Sequence, residues 1–464
     1  MAQPLHMRDV IVVVPGILGS VLVKDGREVW GAPGKSVISH LVSFGGALKE
    51  LKLDPGIGHE DPEDGVSAPR MLPRLGMIPR FWKVDGYGSL SEYLQKRFTL
   101  TPATDNEPGN LVEFPYDWRL SNQLHGKRLA DVVYQHLERW QKFTQNRDAK
   151  LIFICHSMGG LVARWFIEML GGRDVTRKLV TIATPYQGSV NALDALANGM
   201  FLGFGRIGIA VDELVRSFPS AYQLLPSYQC LDVGDGQLRE LTGVDLPNVD
   251  SVSVREGLAF HARINSAVEA NPRYQTFAIK GVDQPTAQSA LLRGGKVELM
   301  RSHKGTDHAG DGTVPRPSSH PPEWQDDSAS VFVSQMHAML QSSDSILTQL
   351  FGILTQQLGG FMGGGARIGV DIPEMVRPGS PVRIEASSKD GDPSLPLQVV
   401  CEGEKGQPFG SPILARPTGD GRYTATVDSL PEGAWRITVA SATPRRPIEP
   451  VSDWTLAWNP EKAP

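Results

Sequence analysis

The chain has 464 residues, 40% of them apolar, a globular composition that excludes disorder and a collagen-like fibre. Its 46 Lys and Arg against 51 Asp and Glu give a formal charge of −5 with both signs mixed, so no basic stripe points to nucleic acid. At roughly 100–200 residues per domain the length implies two or three domains, and 49 Gly with 35 Pro require long loops or a turn-rich β region within them.

Residues 1–8 lack a charged segment followed by an apolar one, and the apolar run Val10–Val14 is broken at once by Pro15-Gly16. The expectation is a leaderless, soluble, cytoplasmic chain. Three cysteines, Cys155, Cys230 and Cys401, are odd in number and widely spaced, which fits a reducing compartment better than a disulfide framework. The apolar stretch 200–211 is interrupted by glycines and Arg206 and is too short to span a bilayer.

Val10–Val14, residues 151–155 and residues 179–183 are continuous Val- and Ile-rich runs, as expected of strands buried on both faces. Residues 122–143 place Leu124, Leu129, Val132, Val133, Leu137 and Trp140 at helical spacing. Alternation of such runs and helices predicts an α/β fold, a doubly wound, mostly parallel sheet covered on both faces. Residues 185–270 hold Gly- and Pro-punctuated apolar patches without a long strand, and read as an insertion where a lid would lie. Late strands are predicted at 274–280 and Val331–Val333, and a helix at 345–358.

A glycine-rich linker, 359–367, closes this first domain at residue 358. Beyond it the texture alternates: Tyr423, Ala425, Val427; Trp435, Ile437, Val439; Trp454, Leu456, Trp458. Residues 368–464 therefore read as an all-β, immunoglobulin-like sandwich of six or seven strands, with the tryptophans in its core.

The richest stretch is 151–161, where a buried strand meets His156-Ser157-Met158-Gly159-Gly160 and then a helical pattern. That is the context of a nucleophile elbow, in which small neighbours let a strained Ser expose its hydroxyl above the sheet. The usual Gly-x-Ser-x-Gly is altered, because Cys155 stands at the first glycine. A nucleophilic Ser needs a base oriented by a carboxylate, and with such an elbow the chain order is Ser, Asp, His. Asp311, between Gly310 and Gly312, and His337, just after Val331–Val333, meet that order. Asp307, His303, His308 and His320 are the competing candidates. An oxyanion site would use the Met158 amide and one from the loop 14–20, with Ile17 the candidate. His303, Asp307, His308 and Asp311 carry ligand side chains, but their spacing fits no standard metal motif, so neither metal nor cofactor is expected.

Four segments, Val14-Pro15-Gly16-Ile17-Leu18-Gly19-Ser20, Phe114-Pro115-Tyr116-Asp117-Trp118-Arg119, His156-Ser157-Met158-Gly159-Gly160 and Gly310-Asp311-Gly312-Thr313-Val314-Pro315, resemble the lecithin:cholesterol acyltransferase family in family order. That family includes lysosomal phospholipase A2 and phospholipid:diacylglycerol acyltransferases. Val84-Asp85-Gly86-Tyr87-Gly88 and Thr184-Pro185-Tyr186-Gln187-Gly188-Ser189 are also similar, so the resemblance spans about residues 9–358 and leaves the sandwich outside. It implies an α/β-hydrolase with Ser157 as nucleophile, Asp311 as acid and His337 as base, the Ile17 and Met158 amides as oxyanion donors, and an acyl-enzyme formed from lipid esters. Asp117 and Arg119 are expected to pair beneath the site, with Trp118 packed there.

The expected function is thus serine-dependent hydrolysis or transfer of a lipid acyl chain. Transient membrane contact through the lid is expected with it, and no protein partner is assigned to the sandwich. A carboxylesterase for small soluble esters and a non-catalytic hydrolase-fold binding protein are the alternatives.

Overall fold

The computed structural model describes residues 3–31, 50–54, 58, 60–78, 82–199, 201–204, 207–210, 212–270, 272–327, 329–356, 366–444, 446 and 448–459. The expected linker lies outside them, apart from Ala366 and Arg367.

Six strands form one parallel sheet: β1 (Val10–Val14), β2 (Leu111–Glu113), β3 (Leu151–His156), β4 (Thr176–Ile182), β5 (Gln275–Gly281) and β6 (Val331–Val333). Their order is β2-β1-β3-β4-β5-β6. Every residue of β1 and β3 is buried, which is why both read as unbroken apolar runs; each such side chain contributes about 1.5–3 kcal/mol. Between β2 and β3 runs α1 (Asn122–Thr144), its N-terminus capped by the Ser121 hydroxyl accepting from Leu124 N. Between β3 and β4 runs α2 (Gly159–Met169), buried almost all round. The chain leaves β1 for β2 on one side and returns to β3 on the other. Strand order therefore reverses at β1 and β3, and their carboxyl ends form the crevice where sites of such sheets lie.

The insertion after β4 is more ordered than its sequence suggests. It contains α3 (Val190–Asn198), a hairpin of Phe201–Phe204 with Ile207–Ala210, two short helices, and α4 (Ser251–Ala267). Gly257 and His261 interrupt the buried apolar stripe of α4, which weakens its helical signal. Trp165 of α2 stacks on Phe260 at 5.4 Å and fixes α4 to the body. The last helix of this part, α5 (Asp344–Thr355), ends earlier than the sequence pattern implies, at an αL residue, Gln356.

Among the described residues the carboxyl-terminal region has nine strands, where the sequence pattern predicts six or seven: β7 (Ile368–Asp371), β8 (Met375–Val376), β9 (Val382–Ser388), β10 (Leu397–Gly403), β11 (Pro408–Leu414), β12 (Arg416–Gly419), β13 (Arg422–Val427), β14 (Gly433–Ser441) and β15 (Val451–Ala457). The added strands, β8 and β12, are edges too short to show a period. Two sheets, β7-β9-β13-β12 and β8-β15-β14-β10-β11, face each other. Trp435 lies in their shared core, but Trp454, Leu456 and Trp458 do not: they pack into the core of the parallel-sheet domain.

Beneath the loop that follows β1, Arg119 is fully buried and doubly bonded to Asp117, with Nη2 to Oδ2 at 2.6 Å and Nε to Oδ1 at 2.9 Å. Its Nη1 reaches Asp64 at 2.9 Å and the Leu51 carbonyl at 3.1 Å. Trp118 packs edge-on against Trp30 and Phe218. Arg119→Ala leaves the buried Asp117 carboxylate without its cation, so denaturant unfolding should show a loss of about 3–5 kcal/mol.

Tyr116 packs on His125 of α1, whose Nε2 lies 2.6 Å from the Asp117 carbonyl. Burial, then repulsion from Arg128, pushes His125 from about 6.5 down to about 3. Between those values the unfolded chain binds the proton and the folded one does not, so stability falls as pH drops below about 6.5, by up to about 1.4 kcal/mol per pH unit for one group. In His125→Gln the decline measured by denaturation between pH 6.5 and 4 should be shallower.

Candidate active site

Between β3 and α2, Ser157 adopts φ 52°, in the left-handed region. Such a conformation costs a β-carbon-bearing residue about 1–3 kcal/mol and persists only when its neighbours dictate it. Here they do: Ser157 N donates to Ile182 O of β4 at 2.8 Å, and Ser157 O accepts from Gly160 N at 3.1 Å and Thr184 Oγ1 at 2.9 Å. Two close approaches exclude side chains around it. A β-carbon on Gly16 would sit 2.9 Å from Ser157 Cβ, and one on Gly159 would sit 2.4 Å from the carbonyl oxygens of Val14 and Pro15. Cys155 is buried, and burial raises its thiol well above the usual range, so it fills space as a neutral side chain.

The structure brings Ser157, Asp311 and His337 together. His337 Nε2 lies 3.0 Å from Ser157 Oγ, and His337 Nδ1 lies 2.8 Å from Asp311 Oδ2. Asp311 Oδ1 accepts from Thr313 N at 2.9 Å and Val314 N at 2.6 Å, while Asp311 O accepts from His337 N at 2.8 Å. With Nδ1–H given to the carboxylate, Nε2 is the acceptor facing the hydroxyl. His337 opens a 3-10 turn, His337–Ser342, close behind β6. Asp311, by contrast, lies on a turn that does not directly follow a strand. Its turn is joined to the chain just past β5 by the reciprocal backbone pair of Gln284 and Gly310, at 3.0 and 3.2 Å.

A second departure is burial: Ser157, Asp311 and His337 are 0%, 1% and 2% exposed, so the hydroxyl does not stand open above the sheet.

The competing residues lie elsewhere. Asp307 Oδ1 accepts from Gln288 Nε2 and Ala309 N, His303 Nε2 pairs with Gln229 O, and His308 N donates to Gln288 Oε1. His320 Nδ1 lies 3.2 Å from Lys280 Nζ, and burial lowers that lysine to about 8. Among the described residues no group of three or more His, Cys, Asp or Glu side chains could hold a metal ion.

Ile17 and Met158 are both buried, Ile17 on the loop after β1 and Met158 at the N-cap of α2. Gly16 N is engaged, donating to Tyr87 Oη at 2.7 Å. Sequence reasoning assigned no role to Tyr87 or His156. The Tyr87 hydroxyl lies 2.9 Å from His156 Nδ1, and since Nε2 of the same ring faces the His337 carbonyl, which can only accept, Nδ1 taking the Tyr87 hydrogen is the arrangement that satisfies both ring nitrogens. His156 Nε2 then carries the proton and faces His337 O at 3.4 Å, and burial holds this imidazole well below its ordinary range. The Gly-flanked motif holding Tyr87 was the available signal, but no spacing relates it to Gly16.

A six-stranded parallel sheet with a strained Ser between β3 and α2 defines an α/β-hydrolase fold. The family model described as lecithin:cholesterol acyltransferase matches residues 88–241, a stretch that includes Phe114–Arg119 and the His156–Gly160 segment with Ser157, two of the four segments that carry the resemblance. Uncharacterized protein YJR098C of Saccharomyces cerevisiae is 26% identical over 179 residues, which cover 38% of this chain. The match spans 23% of the yeast protein's length. Among solved structures, the Bacillus licheniformis lipase BlEst2 in propeptide form is 11% identical, with 98% of this chain and 95% of that chain covered and a TM-score of 0.39. Phospholipase PlaB from Legionella pneumophila is 10% identical, with 82% and 89% covered and a TM-score of 0.33.

Tyr87→Phe strips the Gly16 amide and His156 of a shared buried partner. Denaturant unfolding should show a loss of about 1–3 kcal/mol.

Proposed function

We propose that the chain is a serine-dependent lipid acyl hydrolase or acyltransferase working through an acyl-serine intermediate. The observation that carries this reading is the continuous hydrogen-bonded line from Ser157 Oγ through His337 to Asp311; the family match over residues 88–241 supports the lipid acyl class.

In this mechanism Ser157 Oγ attacks the ester carbonyl while His337 Nε2 takes its proton, and Asp311 stabilises the imidazolium that forms. The developing oxyanion receives the Met158 and Ile17 amides, which are fixed before reaction and therefore need no reorganisation. His337 returns the proton to the leaving alcohol. Water or an acceptor alcohol then attacks the acyl-serine, with His337 again as base. Because Ser157 is buried, the ester reaches it only when covering segments move, and the insertion at 185–270 is the part assigned to that movement and to contact with a lipid surface.

A fluorophosphonate probe should label Ser157 in the wild type and not in Ser157→Ala, and Asp311→Asn should lower kcat by about 10³–10⁴-fold. Mixed phospholipid vesicles, with and without an added acceptor alcohol, then separate the two outcomes by their acyl products. Free fatty acid alone makes the enzyme a hydrolase, and an acyl ester of the acceptor makes it a transferase. Turnover of short soluble esters with none of long-chain lipids would overturn the lipid assignment.

A further inference from the structure

A set of buried hydrogen bonds joins the sandwich to the two turns that carry Asp311 and His337, and most of them end on backbone. Gln335, two residues before His337, is 6% exposed. Its Oε1 accepts from Met336 N at 2.9 Å and from Ser452 N of β15 at 3.0 Å, while Nε2 donates to Pro450 O at 3.2 Å. Gln284, fully buried, does the same for β7: Oε1 accepts from Val370 N at 3.0 Å and Nε2 donates to Ile368 O at 3.1 Å. Its backbone holds Gly310, the residue before Asp311. Ser334 Oγ also donates to Ile368 O, at 2.9 Å.

The far end of the His337 turn is tied as well. Trp454 Nε1 of β15 donates to Asp85 Oδ1 at 2.8 Å, Ser342 Oγ donates to Asp85 Oδ2 at 2.7 Å, and Asp85 N donates to Ala338 O at 2.9 Å. Met336, the residue beside His337, belongs to the sandwich core.

A domain that merely rests on its neighbour makes surface contacts that leave backbone positions alone. Here two glutamine amides act as extra rungs, joining strand backbone on one side to the backbone next to Asp311 and His337 on the other. We propose that the sandwich is a positioning element of the active site, with Gln335 and Gln284 as positioning residues that set the Asp311–His337–Ser157 alignment through β15 and β7. The inference rests on the catalytic reading of Ser157, Asp311 and His337. Losing the Gln335 amide frees the buried Met336 N–H and the half-buried Ser452 N–H, and lets the His337 turn shift. The Asp311 bond to His337 then weakens, the imidazolium is less stabilised, and the acidic limb of activity moves to lower pH.

The test uses the full chain and the rate of fluorophosphonate labelling, which reads Ser157 activation without any choice of substrate. In Gln335→Ala the labelling rate should fall about 10–100-fold, with its acidic limb displaced to lower pH and the downfield imidazole N–H proton resonance of the Asp311–His337 bond shifted or lost. Gln335→Glu keeps the acceptor for both amides and should recover most of the rate. Arg301→Ala breaks an exposed seam pair, Arg301 with Asp371 at 3.0 Å, and should leave the rate unchanged. Gln284→Leu, which removes both the acceptor for Val370 N and the donor to Ile368 O at similar volume, provides the second reading if Gln335→Ala does not fold. A wild-type rate, acidic limb and resonance in whichever of Gln335→Ala and Gln284→Leu folds would overturn the inference while the catalytic reading stands. A wild type that is never labelled overturns the catalytic reading, and this inference with it.

Discussion

The left-handed backbone at Ser157 is the constraint on which the remainder of the site depends. An unfavourable φ at a residue with a β-carbon survives only if its amide and carbonyl are both committed, and here they are tied to Ile182, Gly160 and Thr184. Once the backbone is so fixed, the direction of the side chain is fixed too. The loop after β1 must then pass without a side chain at Gly16, and α2 must begin without one at Gly159. The position of Ser157 at the end of β3 follows from topology, because the strand order reverses between β1 and β3.

That loop lacks strand partners between Pro15 and Gly19, so side chains from distant segments hold it. Tyr116 Oη donates to Pro15 O at 2.8 Å, Trp118 Nε1 to Ser20 O at 3.2 Å and Trp30 Nε1 to Leu18 O at 3.0 Å, and Tyr87 Oη takes Gly16 N at 2.7 Å. Aromatic side chains suit this work, since each brings one polar atom to a buried backbone group on a large apolar body. The Asp117–Arg119 pair anchors the segment that supplies two of these donors. The motif Phe114–Arg119 therefore serves the site from below, through the loop.

What the sequence made legible is what short-range physics encodes. β1, β3 and β4 are buried on both faces and read as apolar runs, α1 has a clean helical stripe, and the small residues around Ser157 mark a turn whatever lies above it. Asp311 and His337 were legible by order and by turn chemistry, but their separation was not, because 2.8 Å between side chains 26 residues apart is set by how β5 and β6 stand side by side. Tyr87 and His156 were not legible, since a buried hydroxyl bridging Gly16 and an imidazole leaves no periodic trace. α4 was hidden because glycine and histidine stand where aliphatic residues would have shown its stripe.

Trp454, Leu456 and Trp458 show a further limit of pattern reading. Alternation identified one face of a β-strand correctly, but pattern alone does not name the surface that face meets. β15 is buried on both sides: Val451 and Ala457 lie in the sandwich core, while Trp454 and Leu456, with Trp458 just past its end, lie in the core of the parallel-sheet domain. Each of these large side chains gains about 1.5–3 kcal/mol by burial, so a sandwich standing alone would expose a stripe more apolar than a stable surface tolerates. The two cores thus share a wall, and that wall continues through Gln335 and Asp85 into the turn that carries His337. A sheet strand is stiff along its backbone where a loop is not, so the bonds from β15 to Gln335 and Asp85 tie the short 3-10 turn that begins at His337 to stiff backbone.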